Sequence, residues 1–166
     1  MPKNTNAVRH EARAAAKLDD VDRTLLGLLS RDWSLSYAEL SEKLHLSAPA
    51  VHERVKRMKR QGVILASVAK LDPVALGRPL LCFIQVMTNT IARTRDIAAQ
   101  TDLPDVEEIH TVAGDCGLLM KVRTRDMKSL EELLAIIHSV DGVSGTRTQM
   151  VLSTLMERGP SAVLIE

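Results

Sequence analysis

The sequence predicts an α+β protein in which a helical N-terminal domain precedes a domain of alternating strands and helices. Three observations predict this class. Apolar residues recur at helical spacing up to Gly62, and apolar stretches after Pro79 alternate between strand-like and helix-like patterns. Charge also divides: residues 1–62 hold 12 Lys and Arg against 8 Asp and Glu, whereas residues 63–166 hold 10 against 13. The net charge of +1 therefore combines a basic first half with an acidic second half, which favours a nucleic-acid-facing domain followed by a separate one.

The composition is that of a globular protein, with 45% hydrophobic and 26% charged residues. The only aromatic residues are Trp33, Tyr37 and Phe83, which argues against a protein that stacks single-stranded bases. Cys82 and Cys116 form no CxxC pair. No apolar run approaches the roughly 18 residues of a membrane span. The N-terminus lacks the apolar core of a secretory signal. We therefore expect a cytoplasmic protein without disulfides or a membrane partner.

Three short helices are predicted in the first half. Glu39 follows Ser36 at capping-box spacing, and Pro49 falls in the first turn of the third helix, where its missing N–H costs nothing. The residues that mark the helix ends are Asp19 or Asp20, Ser36, Ser47 and Gly62. Only His-Leu-Ser joins the second helix to the third, which predicts a helix-turn-helix. The next stretch, VILASVAKLDP, has the β-branched alternation of a strand or small hairpin.

The second half has the order β-α-β-β-α-β, which is that of a ferredoxin-like domain. Strands are predicted at 80–87, 106–114, 118–124 and 142–156, and helices at 91–101 and 126–140. Two helices should cover one sheet face and leave the other for a second subunit. The predicted organisation is a tail (1–17), a helix-turn-helix domain (18–64), a wing and linker (65–79, with the boundary in Asp72–Pro79), a ferredoxin-like domain (80–158) and a tail (159–166).

The third helix concentrates basic residues. Its apolar residues Val51, Val55 and Met58 share one side, so the charges face solvent, and a simple solvated surface would explain them. The position as second helix of a tightly joined pair favours DNA binding instead. Base reading is then expected of Ser47, Ala48, Pro49, His52 and Glu53, and phosphate contact of Arg54, Lys56, Arg57, Lys59 and Arg60. Arg54 lies near the apolar side, and an internal ion pair is equally expected for it.

Five motifs follow one another in an order that resembles the Lrp/AsnC (feast/famine) family of bacterial and archaeal transcription regulators, over about residues 18–157. They are LDDVDRTLLGLL, AELSEKLHLSAPAVHERVKRMKRQGVI, KLDPVALG, EIHTVAGDCGLLMKVRTRDM and GVSGTRTQMVL. The resemblance implies a winged helix-turn-helix followed by a ferredoxin-like (RAM/ACT-like) domain that binds an amino acid. It also implies homodimers formed through the sheets, which can assemble into octamers.

The resemblance also implies where the effector binds, between dimers near the turn after the second strand and the start of the last strand. On this chain those positions are Gly114, Asp115, Cys116, Thr146 and Thr148. The chain departs from the family pattern at two of these places. It has Gly117 where an aspartate is common, and Cys116 where an aromatic residue is common. Effector identity therefore stays open.

Other chemistry finds little support in the sequence. The five histidines have no metal-ligand spacing with one another or with the cysteines, so we predict no metal site, no cofactor and no catalytic residue. Glu107 and Glu108 are adjacent on a predicted strand and are expected to face opposite ways, which is poor geometry for paired acid–base work.

The prediction is a sequence-specific transcriptional regulator that binds double-stranded DNA and responds to an amino acid or related metabolite at an oligomer interface. Two alternatives stay open. One is a sirohaem-decarboxylase-like enzyme of similar architecture, in which His110 would serve in a tetrapyrrole pocket. The other is an architectural protein that compacts DNA without sequence preference.

Overall fold

The computed structural model of the chain describes residues 15–89 and 103–162, which separate into two compact units. The first unit holds the described residues up to Ala69 together with those from Arg158 onward, and the second spans Lys70–Glu157. The described part of the predicted C-terminal tail, residues 159–162, is thus grouped with the first unit. Among the described residues, no helix is both long enough and apolar enough to cross a lipid bilayer.

Three helices build the first unit: α1 (Asp20–Arg31), α2 (Tyr37–Leu44) and α3 (Ala48–Arg60). Each begins where the sequence places a capping side chain, since the N-caps are Asp19, Ser36 and Ser47. Helix α3 ends before Gly62, which has a φ of 69° and so occupies the left-handed region that favours glycine. The buried core consists of Leu25, Leu29, Leu40, Val51, Val55 and Met58.

The structure corrects the prediction for the segment after α3. Residues 61–79, all of which the structure describes, contain no strand, so VILASVAKLDP forms neither a strand nor a hairpin within this chain. The side chains of Leu65, Val68 and Leu71 are all exposed. Alternating β-branched residues form a strand only where a partner strand and a buried face complete it, and this segment has neither in the single chain.

The second unit is a four-stranded antiparallel sheet packed against a helix. Its elements are β1 (Leu80–Thr88), β2 (Val106–Thr111), β3 (Leu118–Thr124), α4 (Met127–His138) and β4 (Val143–Met150). The strand order is β2-β3-β1-β4, as the ferredoxin-like prediction requires, so the α+β fold class is confirmed. The helix predicted at 91–101 lies outside the described residues.

Two strands are shorter than predicted. Strand β2 ends at Thr111 and β4 at Met150, because their pairing with β3 and β1 ends there. One sheet face packs on α4 and forms the core, made of Cys82, Ile84, Val86, Leu118, Met120, Val122, Leu130, Leu133 and Ile137. Burial raises the pKa of the Cys82 thiol. The opposite face, which we call the open face, carries half-buried side chains such as Phe83, Gln85 and Leu119.

Candidate nucleic-acid interface and effector site

The turn between α2 and α3 fixes the start of the basic helix. His45 has a φ of 54°, and the N–H of Leu46 donates to the carbonyl of Ser41 at 3.1 Å. The hydroxyl of Ser47 then accepts from the N–H of Ala50 at 3.4 Å, which caps α3. These local contacts close the turn within three residues, so α3 follows α2 in the helix-turn-helix arrangement that the sequence predicts.

The residues predicted to read bases lie together near the start of α3. Ser47, Pro49, His52 and Glu53 are exposed, and Ala48 is half-buried. At about 100° per residue, positions 49, 52, 53, 56 and 60 fall within roughly 100° of the helix circumference. The structure therefore brings Pro49, His52 and Glu53 onto the same exposed surface as Lys56 and Arg60, whereas the N-cap Ser47 and the half-buried Ala48 lie outside this arc.

Arg54 and Arg57 do not share that exposed position, because both guanidinium groups bind carboxylates of the first helix. Nη1 of Arg54 lies 2.7 Å from Oδ2 of Asp19 and 2.7 Å from Oδ1 of Asp22. Nη2 of Arg57 donates to Oδ2 of Asp22, whose side chain is only 1% exposed. Arg54 was expected either to contact phosphate or to form an internal ion pair, and in the structure it forms the ion pair. Arg57, which we expected to face phosphate, is held in the same network.

This network shifts the ionisation of its members. Hydrogen bonds from the Arg54 guanidinium and from the N–H of Asp22 lower the pKa of Asp19, and the two carboxylates raise the pKa of Arg54. Asp22 also accepts from the N–H of Asp19 at 3.2 Å, which completes the capping box of α1. Sequence reasoning missed Asp22 as a partner of α3, because only the fold brings residues of α1 and α3 into contact.

The remaining basic side chains of α3 stay at the surface. Lys56 and Lys59 are exposed, and Arg60 is 64% exposed with Nη2 at 3.6 Å from Oε1 of Glu53. Two aromatic rings also contact the exposed side of this helix. Trp33 lies under the ammonium of Lys59, and Tyr37 lies against the imidazole of His52. Neither aromatic residue was predicted as part of the site.

Four of the five predicted effector positions lie toward one end of the sheet, and Thr148 lies opposite Ile84, the middle residue of β1. The turn that contains Gly114, Asp115 and Cys116 is closed by the N–H of Val112, which donates to the carbonyl of Gly117 at 3.3 Å. The N–H of Gly117 donates to the carbonyl of Val86 at 3.0 Å. Thr146 pairs with Val86 from the other side of β1. The turn and Thr146 are therefore about two strand spacings apart, or roughly 10 Å.

Thr146 and Thr148 lie on one face of β4, since they pair with Val86 and Ile84 of the buried face. Both side chains are half-buried. Oγ1 of Thr146 lies 3.1 Å from Nε2 of His138, the last residue of α4. Sequence reasoning did not include His138, and the helical pattern of α4 gives no signal that its last residue reaches β4.

The structure corrects the prediction for Glu107 and Glu108. Pairing between β2 and β3 shifts at this point, and this β-bulge turns both carboxylates toward Lys121 on the open face. Nζ of Lys121 lies 3.2 Å from Glu107 and 3.0 Å from Glu108. Burial opposes the charge of Lys121, but its hydrogen bonds to the two carboxylates outweigh burial and raise its pKa.

The same group extends to His110 and Arg123. Nε2 of His110 lies 2.9 Å from Glu108, and Nε of Arg123 lies 2.6 Å from Glu107. Hydrogen bonds from His110 and then Lys121 lower the pKa of Glu108. In the described ranges, no group of three or more His, Cys, Asp or Glu side chains has the geometry to hold a metal ion. The open face thus carries an ion-pair network.

Comparison with known proteins covers both units. The sequence model of the AsnC-type helix-turn-helix domain family matches residues 18–59. The sequence model of the Lrp/AsnC ligand binding domain family matches residues 81–161. The leucine-responsive regulatory protein of Salmonella typhimurium is 35% identical over 156 residues, which cover 90% of this chain and 94% of that protein.

Solved structures show the same similarity. The structure of AsnC from E. coli has a TM-score of 0.82 and 27% identity, and the match covers 88% of this chain and 99% of AsnC. The complex of the transcriptional regulator NMB0573 from Neisseria meningitidis with L-Met has a TM-score of 0.80 and 25% identity, and covers 86% of this chain and 94% of that one.

Proposed function

The chain belongs to the Lrp/AsnC family of transcriptional regulators, and we propose that it controls transcription by binding specific duplex DNA in response to an amino acid. The observation that carries the DNA part is the surface of α3. There the base-reading candidates Pro49, His52 and Glu53 lie on one side with the exposed cations Lys56 and Arg60, away from the core.

The residues of α3 then divide into three roles. Ser47, Ala48, Pro49, His52 and Glu53 face base edges from the helix N-terminus, where His52 can donate to a purine acceptor and Glu53 can accept from a cytosine amino group. Lys56, Lys59 and Arg60 contact phosphates, which supply affinity without sequence information. Arg54 and Arg57 hold α3 on the carboxylates of α1, and they support DNA binding by fixing the helix.

The proposed effector is an amino acid, as the name of the leucine-responsive relative and the L-Met complex of the Neisseria regulator suggest. We place its carboxylate at the N–H groups of the turn that contains Gly114, Asp115 and Cys116. Thr146 presents its hydroxyl at the same end of the sheet, where His138 fixes it, and Thr148 lies two residues further along the same face of β4. No cofactor and no catalytic residue is part of this proposal.

Regulation requires a second copy of the chain. We propose that the open face of the sheet forms a homodimer, and that dimers can assemble further to an octamer, with the effector bound between dimers. An amino acid that binds one assembly more tightly shifts the population toward it, and so changes the spacing of the DNA-binding helices. The two cysteines, both free, fit a reducing compartment, and the proposed location is the cytoplasm.

The test is binding of the purified protein to its own upstream DNA and to a shuffled duplex of equal length, across a salt series and with an amino-acid panel. We expect a steep salt dependence and tighter binding to the native sequence. We also expect at least one amino acid to change DNA affinity or assembly size. Equal binding to both duplexes would support the architectural alternative, and no binding at low salt would make the decarboxylase-like alternative worth assaying with a tetrapyrrole.

A further inference from the structure

Two of the three aromatic residues of this chain lie beside the basic helix. Trp33 and Tyr37 are 38% and 40% exposed, although large aromatic rings gain most from burial. Each ring contacts a polar side chain of α3, since Nζ of Lys59 lies 5.1 Å from the Trp33 ring centroid and the imidazole of His52 lies against Tyr37. The side chains of Lys59 and His52 are themselves exposed.

The contact between Tyr37 and His52 has a defined geometry. The ring centroids are 5.1 Å apart and the ring planes are inclined by 78°, which is an edge-to-face arrangement within the favourable range for aromatic pairs. Both rings are exposed, so burial of the pair in a core does not explain their contact. The contact connects the first residue of α2 to the exposed face of α3.

The backbone positions of both residues are fixed by capping interactions. The N–H of Ser36 donates to Oε2 of Glu39 at 2.7 Å, and the N–H of Glu39 donates to Oγ of Ser36 at 3.2 Å. This capping box sets the start of α2, and Tyr37 is the next residue after its N-cap. His52 lies in the second turn of α3, which Ser47 caps. The Tyr37 ring is therefore a fixed surface for the imidazole.

A fixed ring restricts the rotamers of a side chain that would otherwise be disordered at an exposed helix position. The entropy of ordering His52 is then lost on folding and need not be lost when DNA binds. Preorganisation of this kind favours only a DNA sequence that accepts the imposed orientation of the imidazole. It should therefore affect the preference between sequences more than the overall affinity for DNA.

We propose that Tyr37 is a positioning residue for sequence recognition, whose ring orients the His52 imidazole toward a base edge. The inference rests on the proposed function, because it assigns a specificity role within that DNA-binding surface. The Tyr37 ring acts through His52, and its hydroxyl makes no required contact with DNA. A phenyl ring at position 37 should therefore serve as well as the phenol.

The experiment compares Tyr37→Phe, Tyr37→Leu, His52→Ala and the double variant Tyr37→Leu/His52→Ala in the full chain. The preference for native over shuffled DNA is the ratio of the two dissociation constants. We expect Tyr37→Leu to lower this ratio by about three- to tenfold, as the loss of an aromatic pair implies, and Tyr37→Phe to retain it. In the His52→Ala background, Tyr37→Leu should cause no further loss.

Trp33→Leu is the matched control. It removes the other exposed ring that contacts α3, and with it the contact between that ring and Lys59. It should weaken binding to both duplexes by the same factor and leave the ratio unchanged. Thermal unfolding of each variant verifies folding. In the unbound wild-type protein, nuclear Overhauser effects between the rings of Tyr37 and His52 test the contact without DNA, even if Tyr37→Leu were to unfold.

Three results would overturn the inference. They are an unchanged preference in folded Tyr37→Leu, an equal loss in Tyr37→Phe, which would assign the role to the hydroxyl, and the absence of ring–ring Overhauser effects. The proposed function fails in a different way, through a wild-type protein that binds both duplexes equally. The inference then falls with it, and any observed ring contact is only structural.

Discussion

Arg54 in the basic helix donates through Nη1 to Oδ1 of Asp22 in the first helix at 2.7 Å, and Asp22 is 1% exposed. Arg57 donates to the other oxygen of the same carboxylate. One buried acid therefore holds two residues of a stretch whose charges otherwise face solvent. The arginines on this carboxylate hold α3 against α1, whereas Lys56 and Arg60 remain at the surface, where we propose that they contact phosphate.

The first prediction concerns this carboxylate. Asp22→Asn should lower the free energy of unfolding of the first unit by about 1–3 kcal/mol, because the Arg57 guanidinium loses its charged partner and that of Arg54 keeps only Asp19. The fluorescence of Trp33, the only tryptophan, follows urea unfolding of this unit. Asp20→Asn is the control: it removes an exposed acid from the same turn and should cost less than about 0.5 kcal/mol. Equal losses in both variants would contradict the structural role of Asp22.

The second prediction separates phosphate contact from base reading. Lys56→Met should weaken binding to native and shuffled DNA by the same factor and reduce the slope of log affinity against log salt by about 0.9. Lys128→Met removes an exposed lysine from α4 and should change neither quantity. Fluorescence anisotropy across a salt series measures both. A change in sequence preference in Lys56→Met would instead assign Lys56 to base reading.

Features that depend on neighbouring residues could be predicted from the sequence. Ser36 and Glu39 form the predicted capping box, Asp126 caps α4, and the alternation of 118–124 gives β3. Each has its signal within a few positions of the element. Its physical cause, a side chain that satisfies a helix end or alternates between faces, is equally local.

Features that depend on contacts distant in sequence could not be predicted. Asp22 and Arg54 are 32 positions apart, and an ion pair between them depends on how α1 packs against α3. The β-bulge that turns Glu107 and Glu108 toward Lys121 depends on the register between β2 and β3, which alternation within one strand does not determine. The same limit explains why VILASVAKLDP has strand-like residues but no strand.

The third prediction concerns acid stability of the second unit. Asp126 caps α4, and hydrogen bonds from the N–H and hydroxyl of Ser129, with a smaller effect of Arg125, lower its pKa to about 2. This pKa is lower than that of an aspartate in the unfolded chain. The ionised Asp126 therefore stabilises the folded second unit fully above about pH 4, and this stabilisation is lost as the pH falls toward 2. The thermal midpoint by circular dichroism should fall over this interval.

Asp126→Asn retains an oxygen acceptor for the N–H of Ser129 but cannot titrate. Its thermal midpoint should therefore fall less than that of the wild type between pH 5 and pH 2. The difference between the two falls is the contribution of the Asp126 carboxylate to the pH dependence. Glu131→Gln, an exposed substitution on the same helix, should leave the pH dependence as in the wild type. An Asp126→Asn variant with the full wild-type dependence would show that other acids cause it.

The fourth prediction uses two glycines at which an added Cβ meets nothing within 4 Å, so that conformation alone decides the effect. Gly27 lies inside α1, and Gly27→Ala should stabilise the first unit by about 0.5–1 kcal/mol. Gly114 has a φ of 126°, and Gly114→Ala should destabilise the second unit by about 1–2 kcal/mol. Scanning calorimetry of the full chain measures both. Effects of the same sign would show that space around these glycines matters more than φ.

Gly114→Ala also tests the proposed effector turn. An alanine there strains the backbone whose N–H groups we assign to the effector carboxylate, so the affinity for an identified amino acid should fall more than tenfold. Gly27→Ala should leave that affinity unchanged. Isothermal titration calorimetry measures both variants. Unchanged affinity in Gly114→Ala would remove the turn from the proposed site.

The last prediction concerns the open face as a dimer surface. Lys121 is 19% exposed and pairs with two carboxylates within 3.2 Å, so Lys121→Glu would bring three carboxylates together on that face. In a dimer with two-fold symmetry each copy contributes the same patch, so the repulsion is doubled at the interface. We expect the dimer dissociation constant to rise at least about tenfold by sedimentation equilibrium. Lys128→Glu makes the same change of charge on the outside of α4 and should leave the dimer dissociation constant unchanged. Equal dissociation constants in the two variants would place the dimer contact elsewhere.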